Sequence, residues 1–236
     1  VDPAELGRFM NRFYEAIFEP VRSHGGIITD VVGDSMMAVW TSASANPELK
    51  ERACRAALDI LRAVDRFNRQ EPGFHLPVRI GLHAGPIMVG HIGALDHFEY
   101  RAVGDVVNTA SRIENLNKPL GTRVLASRSV LDGLTGFRIR TIGRFRLAGK
   151  SLPIAVAELR GEAAADADGE AFGALFDRGR EALEKRQWSA AEALFAACLR
   201  LRGDDGPSVF LLETCRRLRE EGAGERWDGV LEPNGK

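Results

Sequence analysis

The amino-acid sequence predicts an α/β fold, in which helices pack against a mixed β-sheet, followed by a small all-helical segment. Two observations lead to this prediction. Over residues 1–160, apolar residues recur alternately with helical spacing and with the two-residue period of strands. After residue 170 only the helical spacing remains. Strands interleaved with helices are typical of a sandwich in which helices cover a sheet.

The first half is expected to begin with two helices that flank a hairpin. Asp2-Pro3 offers an N-cap followed by a proline at the first helical position, and Asn46-Pro47 starts the second helix. Between them, Gly33-Asp34 joins two short apolar runs as a tight hairpin turn would. Strands are predicted at residues 27–32, 36–40, 78–82, 87–92, 123–126, 137–147 and 154–159, and a third helix at 105–116.

The second half is predicted to be a helical tail at 171–236, joined to a first domain at 1–160 by a solvated linker at 161–170. The linker has no large apolar residue, and residues 1–160 carry 21 basic and 17 acidic residues, whereas 161–236 carry 11 and 16. Trp188 and the Ala191-x-x-x-Phe195 pattern resemble part of a tetratricopeptide helix pair. The tail is therefore either such a module, able to recruit a protein partner, or a helical hairpin packed on the first domain.

Composition excludes several classes of protein. The 32 Lys plus Arg and 33 Asp plus Glu give a net charge of -1, so we expect no nucleic-acid partner. Apolar stretches are short and interrupted by charge, so we expect no membrane contact by this chain. Cys54, Cys198 and Cys215 form no CxxC pair and are predicted to be reduced, apolar-packed residues, as in a cytosolic chain.

Three side chains are candidates for chemistry on physical grounds. Asp34 is a carboxylate on a tight turn, which suits a hard divalent cation shared with substrate phosphates; the alternative is a plain turn residue. Asn108 and Arg112 stand four residues apart on a helix, so both project from one face. An amide and a guanidinium there can bind a sugar oxygen and a phosphoryl group, unless they form a solvated polar face.

Three segments, taken together and in this order, resemble the class III nucleotidyl cyclase catalytic domain that adenylyl and guanylyl cyclases share. They are VVGDSMMA at 31–38, RIGLHAGP at 79–86 and YRAVGDVVNTASR at 100–112. The resemblance covers roughly residues 1–160. It implies a ferredoxin-like α/β domain that works as a head-to-tail homodimer, with active sites built from both subunits. The implied reaction is attack of the 3′-hydroxyl of a nucleoside triphosphate on its own α-phosphorus, with release of pyrophosphate.

The resemblance also implies roles for individual residues. Asp34 matches a metal-binding aspartate, Asn108 the ribose-orienting asparagine and Arg112 the arginine that stabilises the transition state. Gly33, in the same turn as Asp34, is expected among the substrate-binding residues. Two Mg²⁺ or Mn²⁺ ions per site are implied, with ATP, or alternatively GTP, as substrate. The family's other metal ligand lies on a strand before the first helix, so we expect this chain to lack that strand.

The sequence departs from the family pattern at three further positions. Asp30 replaces the purine-reading lysine, and Arg101 replaces its aspartate or threonine partner. Ala148 stands where a lysine for the terminal phosphates is usual. Lys150 or Arg146, on the same face of the predicted strand, could supply that charge; the alternative is that both are solvated surface residues.

The exchanged pair leaves three interpretations of base recognition open. Asp30 can accept hydrogen bonds from guanine N1 and N2 while Arg101 donates to O6, which favours GTP. With a shifted ring, Asp30 can accept from the adenine 6-amino group while Arg101 donates to N1. In the third, the two side chains pair with each other. The wider motif background resembles bacterial cyclases, most of which make cyclic AMP.

The sequence therefore predicts an adenylate cyclase for intracellular signalling. Its location is expected to be cytoplasmic, within a full-length protein that can be attached to a membrane with this part facing the cytoplasm. Two alternatives stand beside it. One is a guanylate cyclase, and the other is a catalytically degenerate cyclase fold kept as a dimerisation or nucleotide-sensing module.

Overall fold

The computed structural model describes residues 2–44, 46–71, 73, 75–94, 97–163, 167–222 and 227–233. The helices are α1 (Pro3–Ser23), α2 (Glu48–Gln70), α3 (Asp105–Leu120), α4 (Arg128–Leu131), α5 (Ala167–Glu184), α6 (Trp188–Leu201) and α7 (Gly206–Glu220). The strands are β1 (Ile27–Val32), β2 (Ser35–Val39), β3 (Ile80–Leu82), β4 (Met88–Ala94), β5 (His97–Val103), β6 (Val124–Ser127), β7 (Phe137–Phe145), β8 (Ile154–Glu162) and β9 (Val230–Leu231).

The strands form one mixed sheet and two hairpins. The five-stranded sheet has the order β3-β6-β8-β7-β9, with β3 parallel to β6, β7 parallel to β9, and the other neighbours antiparallel. The antiparallel pairs β1–β2 and β4–β5 are separate two-stranded ladders. Helices interleaved with a mixed sheet confirm the predicted α/β fold class.

Helices α1 and α2 pack together over an aromatic core. The Asp2 carboxylate accepts a hydrogen bond from the backbone N–H of Ala4 at 3.2 Å, which confirms the predicted N-cap. Phe9 and Phe13 both meet the Phe67 ring edge-on, with ring centroids 5.3 and 5.5 Å apart. This cluster lies beside the β1–β2 hairpin and supports it.

Helix α3 lies directly on strand β3. At Gly81 a Cβ atom would collide with the backbone carbonyl of Ala110, so only glycine allows this approach. The helix runs four residues beyond its predicted end, to Leu120. The buried Asn117 side chain explains the extension, because its amide donates to the Ile80 carbonyl at 3.0 Å and its oxygen accepts from the Thr122 hydroxyl at 2.9 Å.

Helices α5, α6 and α7 pack on the sheet and share a hydrophobic core with it. Phe145 of β7 lies in the same buried cluster as Phe172, Phe176 and Phe195 of the tail. Strand β8 continues to Glu162 and α5 begins at Ala167, while residues 164–166 of the predicted linker lie outside the described residues. The division of the chain into domains stays a prediction.

Two strands were not predicted from the sequence, namely β5 and the two-residue β9. All three cysteines are free and buried, as predicted, and burial raises the pKa of both Cys54 and Cys215 to about 12. Within the described residues, no helix combines the length and the apolarity that crossing a bilayer would require.

Candidate active site

The β1–β2 hairpin carries three of the predicted residues. Gly33 adopts φ +60°, a left-handed conformation that favours glycine and lets two residues close the turn. The Tyr14 hydroxyl of α1 donates a hydrogen bond to the Gly33 carbonyl, which ties the turn to the helix. The Asp34 side chain is exposed, and within the described residues it has no hydrogen bond or ion pair. It is therefore available to a ligand.

Asp30 and Arg101 lie on strands that neighbour each other. Asp30 is half-buried on β1, next to an irregularity in its ladder with β2. Arg101 is exposed on β5, opposite Gly90 of β4, and β1 lies next to β5. The exchanged pair thus lies on two strands that pack against each other.

Helix α3 presents Asn108 and Arg112 from its first half. The helix starts after Gly104, and buried Thr109 bonds back to the Asp105 carbonyl at 2.9 Å. Asn108 is exposed and Arg112 half-buried. Within the described part of the chain, neither side chain makes a hydrogen bond. An amide and a guanidinium that lie one helical turn apart, with no hydrogen bond to the described residues, are suited to bind a polar, anionic ligand.

The loop between β7 and β8 lies against the Arg112 guanidinium. Gly149 has φ +64°, and a Cβ atom there would lie 3.2 Å from Arg112 Nη2. The next residue, Lys150, is 11% exposed in its side chain and forms an ion pair with Asp105, the first residue of α3. The hydrogen bond from Lys150 lowers the pKa of the Asp105 carboxyl. Lys150, predicted to bind terminal phosphates, therefore lies beside Arg112 but is engaged by a carboxylate.

His83 is a neighbour of this group that sequence reasoning did not assign to the site. Its Nδ1 lies 2.8 Å from the Ser127 hydroxyl, at the end of the parallel strands β3 and β6. Burial, and then the Lys150 charge, lower the pKa of His83, whereas Asp105 opposes the shift. The signal in the sequence was the position of His83 directly after a predicted strand, where side chains of parallel strands meet.

Arg146 and Ala148 lie at the start of the same loop. The Arg146 guanidinium contacts Asp228 at 2.8 Å and Glu232 at 3.4 Å, so it is occupied by acidic residues of the C-terminal segment. Ala148 is exposed. The predicted residues therefore fall into two groups, one on the hairpin and β5 and one on α3 and the β7–β8 loop.

The donor set fits a divalent cation only in part. Asp34 is an unpaired carboxylate on a rigid turn, and Mg²⁺ in proteins is commonly held by one or two carboxylates together with substrate phosphates. Across the described ranges, however, no group of three His, Cys, Asp or Glu side chains is placed to hold a metal ion. The remaining ligands would have to come from a nucleotide and from residues outside this set.

Comparison with known proteins identifies the family. Residues 1–159 match the model of the adenylate and guanylate cyclase catalytic domain. The chain belongs to this family. Adenylate cyclase 1 of Rhizobium meliloti is 34% identical over 163 residues, which are 67% of this chain and 24% of that protein. Adenylate cyclase of Anabaena cylindrica is 29% identical over 171 residues, 68% of this chain and 33% of that protein.

Solved cyclase structures share the fold. The adenylyl cyclase CyaB from P. aeruginosa superposes with a TM-score of 0.61 at 20% identity, covering 69% of this chain and 86% of that chain. The guanylyl cyclase Cya2 gives 0.59 at 23% identity, covering 71% and 86%. The cyclase domain described here thus spans a quarter to a third of the length of the curated relatives it matches.

Proposed function

We propose that this chain is the catalytic part of an adenylate cyclase, which converts ATP to 3′,5′-cyclic AMP and pyrophosphate in the cytoplasm. The observation that carries the proposal is the pair Asn108 and Arg112 on one face of α3. Neither side chain makes a hydrogen bond within the described residues, and Gly149 packs against the guanidinium. Membership of the cyclase family and the similarity to two adenylate cyclases support it.

The reaction divides between the two residues of α3. The ribose 3′-oxygen forms a bond to the α-phosphorus and loses its proton, and the bond from that phosphorus to the bridging oxygen of pyrophosphate breaks. Asn108 would hold the ribose so that the 3′-oxygen faces the phosphorus, which lowers the entropic part of the barrier. Arg112 would donate to the α-phosphoryl oxygens, where negative charge develops in the transition state.

Asp34 would supply this chain's ligand to the divalent cations, Mg²⁺ or Mn²⁺, of which two per site are expected. When bound, such ions neutralise phosphate charge and make the 3′-hydroxyl more acidic. The role of Asp34 itself is to offer an unpaired carboxylate from a turn that Gly33 and Tyr14 hold in place.

Base recognition is proposed to involve Asp30 and Arg101, an acceptor and a donor on neighbouring strands. For adenine, Asp30 would accept from the 6-amino group and Arg101 would donate to N1. The same two side chains match the donor and acceptor pattern of guanine, so a guanylate cyclase is the second candidate. The adenylate cyclases among the relatives favour ATP.

The active form is proposed to be a head-to-tail homodimer with sites shared between subunits. Its support is the set of exposed apolar side chains on the two hairpins, because a grouped apolar surface indicates an interface. Val32 is 67% and Met88 60% exposed, and Met88 pairs across β4–β5 with exposed Val103. Recruitment of a protein partner by a tetratricopeptide-like tail stays a prediction.

The test supplies equimolar ATP and GTP with Mn²⁺ to the full-length gene product and identifies cyclic nucleotides by mass spectrometry. Cyclic AMP supports the proposal, and cyclic GMP assigns the guanylate cyclase alternative. A chain that binds either nucleotide but forms no cyclic product, while a variant with Asp30→Lys and Ala148→Lys does, identifies the degenerate module. The Arg112→Ala variant serves as the inactive control.

A further inference from the structure

The C-terminal segment Trp227–Glu232 is bound to the edge of the sheet, at the end of β7. We call it the strap. Its β9 residues, Val230 and Leu231, pair in parallel with Arg144 and Phe145 of β7. The backbone N–H of Arg146 also donates to the Leu231 carbonyl, at 3.0 Å. The strap lies outside residues 1–159, the segment that matches the cyclase family.

The strap is itself well ordered by local contacts. The Trp227 indole N–H donates to the Val230 carbonyl at 3.1 Å, and its ring meets Trp188 of α6 edge-on with centroids 5.2 Å apart. Leu231 is buried against β7 at Gly143, where a Cβ atom would lie 2.6 Å from the leucine side chain. These contacts fix the strap against both the tail and the sheet.

Two arginines at the end of β7 are bound by the strap. Arg144 donates to the backbone carbonyl of Asp228 at 2.7 Å. Arg146 donates to the Asp228 carboxylate at 2.8 Å and lies 3.4 Å from Glu232. The other carboxylate oxygen of Asp228 accepts from the Val230 N–H at 3.1 Å. Asp228 thus joins the strap's own turn to the last residues before the β7–β8 loop.

Three residues after Arg146 the chain reaches Gly149, which contacts the guanidinium of Arg112. Leu147 is buried, and its carbonyl accepts a hydrogen bond from Lys150 N–H at 3.0 Å, which closes a tight turn. That turn sets Gly149 against the Arg112 guanidinium and brings Lys150 to Asp105. The turn therefore joins Arg146 to the two residues that contact Arg112 and Asp105.

We propose that the strap positions Arg112 for catalysis, with Asp228 as a positioning residue that acts through Arg146 and the Leu147–Lys150 turn. This inference rests on the proposed cyclase function of Arg112. It also reassigns Arg146, which the sequence suggested as a phosphate ligand, to the support of the loop. Misplacing a catalytic group by about 1 Å costs up to about 100-fold in rate, so loss of the strap contact should reduce turnover.

The experiment measures kcat and KM for the full-length protein and its variants Asp228→Ala, Arg146→Ala and the double variant. If the strap positions Arg112, each single variant should lower kcat by about tenfold and leave the KM for ATP unchanged. The kcat of the double variant should be no lower than that of the single variants. Asp228→Asn keeps the hydrogen bond from Val230 N–H but loses the ion pair with Arg146. Its kcat should therefore lie between those of the unaltered protein and of Asp228→Ala. Glu213→Ala, an exposed acid of α7, is the matched control.

Hydrogen exchange of residues 144–150 supplies a readout that does not depend on cyclase activity. The strap predicts faster exchange at Lys150 N–H in Asp228→Ala than in Glu213→Ala, even if the protein proves not to be a cyclase. Two results overturn the proposal. One is exchange and kcat in Asp228→Ala equal to those of the control. The other is a raised KM in Arg146→Ala with no effect of Asp228→Ala, because that identifies Arg146 as a direct phosphate ligand.

Discussion

Two faces of the molecule differ in how many of their side chains are covered or paired within the chain. One lies under the tail, and the other is formed by the two hairpins. Under the tail, Arg140 is 6% exposed, bonds to Glu158 at 2.6 Å and Asp205 at 2.7 Å, and stacks on Phe176. Around the hairpins, apolar side chains such as Val32 stay exposed. On α3, Arg112 has no hydrogen bond within the described residues. We infer that side chains paired within the chain stabilise the fold. Side chains that stay exposed or make no hydrogen bond within the described residues are available to a ligand or to a second subunit.

The largest expected effect is a loss of turnover without a loss of stability, caused by substitutions on α3. Asn108→Ala or Arg112→Ala should lower kcat by about 10²–10³-fold, because each would remove a donor that we propose faces the nucleotide. The midpoint of thermal unfolding should change little, since neither side chain makes a hydrogen bond within the described residues. Ser111→Ala, exposed on the same helix, is the control. Near-normal turnover in either variant would remove that residue from the site.

The second prediction concerns the ion pairs of Arg140 on the face under the tail. Arg140→Ala should lower the free energy of unfolding by about 3–5 kcal/mol, because it removes the nearest cation from two largely covered carboxylates. Among the described residues, Glu158 keeps only Arg160, at 3.8 Å, and Asp205 keeps its hydrogen bonds from Ser208. The exposed pair Arg128 and Asp132 gives the comparison: Arg128→Ala should cost less than about 1 kcal/mol. Urea unfolding measures both. Equal costs would mean that the Arg140 cluster is solvated rather than buried.

The third prediction concerns the open hairpin face. Val32→Lys should weaken self-association by about tenfold or more, because it places a charge in an apolar interface. Folding should be unaffected, since Val32 is exposed in the single chain. Leu201→Lys replaces an equally exposed apolar residue at the end of α6 and should leave association unchanged. Sedimentation velocity distinguishes them, and equal behaviour of the two variants argues against a hairpin interface.

The smallest expected effect is a pH dependence from His83. Its pKa lies below the ordinary value of 6.5, chiefly because burial disfavours the charged ring and secondly because Lys150 is near. The unfolded chain therefore binds the proton more readily, and stability should fall as the pH drops below 6.5. His83→Gln should flatten this part of the stability profile, measured by urea unfolding between pH 5 and about 7. A variant that keeps the same pH dependence as the unaltered protein would show that His83 contributes nothing.

Sequence patterns predicted the elements whose signals are local. The Asp2 N-cap, the Gly33 turn and the amphipathic helices follow from neighbouring residues, and the structure contains them. Strand β9 could not be predicted, since two residues show no period and its partner β7 lies 86 residues earlier at Arg144 and Val230. The Asp105–Lys150 pair was missed for a similar reason: it depends on how a distant loop packs on α3.

The candidate site was predictable in part. Motif order named Asp34, Asn108 and Arg112 as candidates, and none of the three side chains makes a hydrogen bond within the described residues. The surroundings of Arg112 were not predictable, because the contact of Gly149 with the guanidinium and the nearby ion pair of Lys150 with Asp105 arise from tertiary packing. A sequence motif names candidate residues, whereas the residues packed around them are distributed along the chain.

We propose that the hairpin face of one chain and α3 of a second chain together form each cyclase site. Mixing Asp34→Ala protein with Arg112→Ala protein, each inactive alone, tests this arrangement. In a head-to-tail heterodimer one site would carry both changes and the other neither, so the mixture is predicted to regain cyclic AMP formation. A mixture that exchanges subunits and stays inactive would show that the two faces do not share a site.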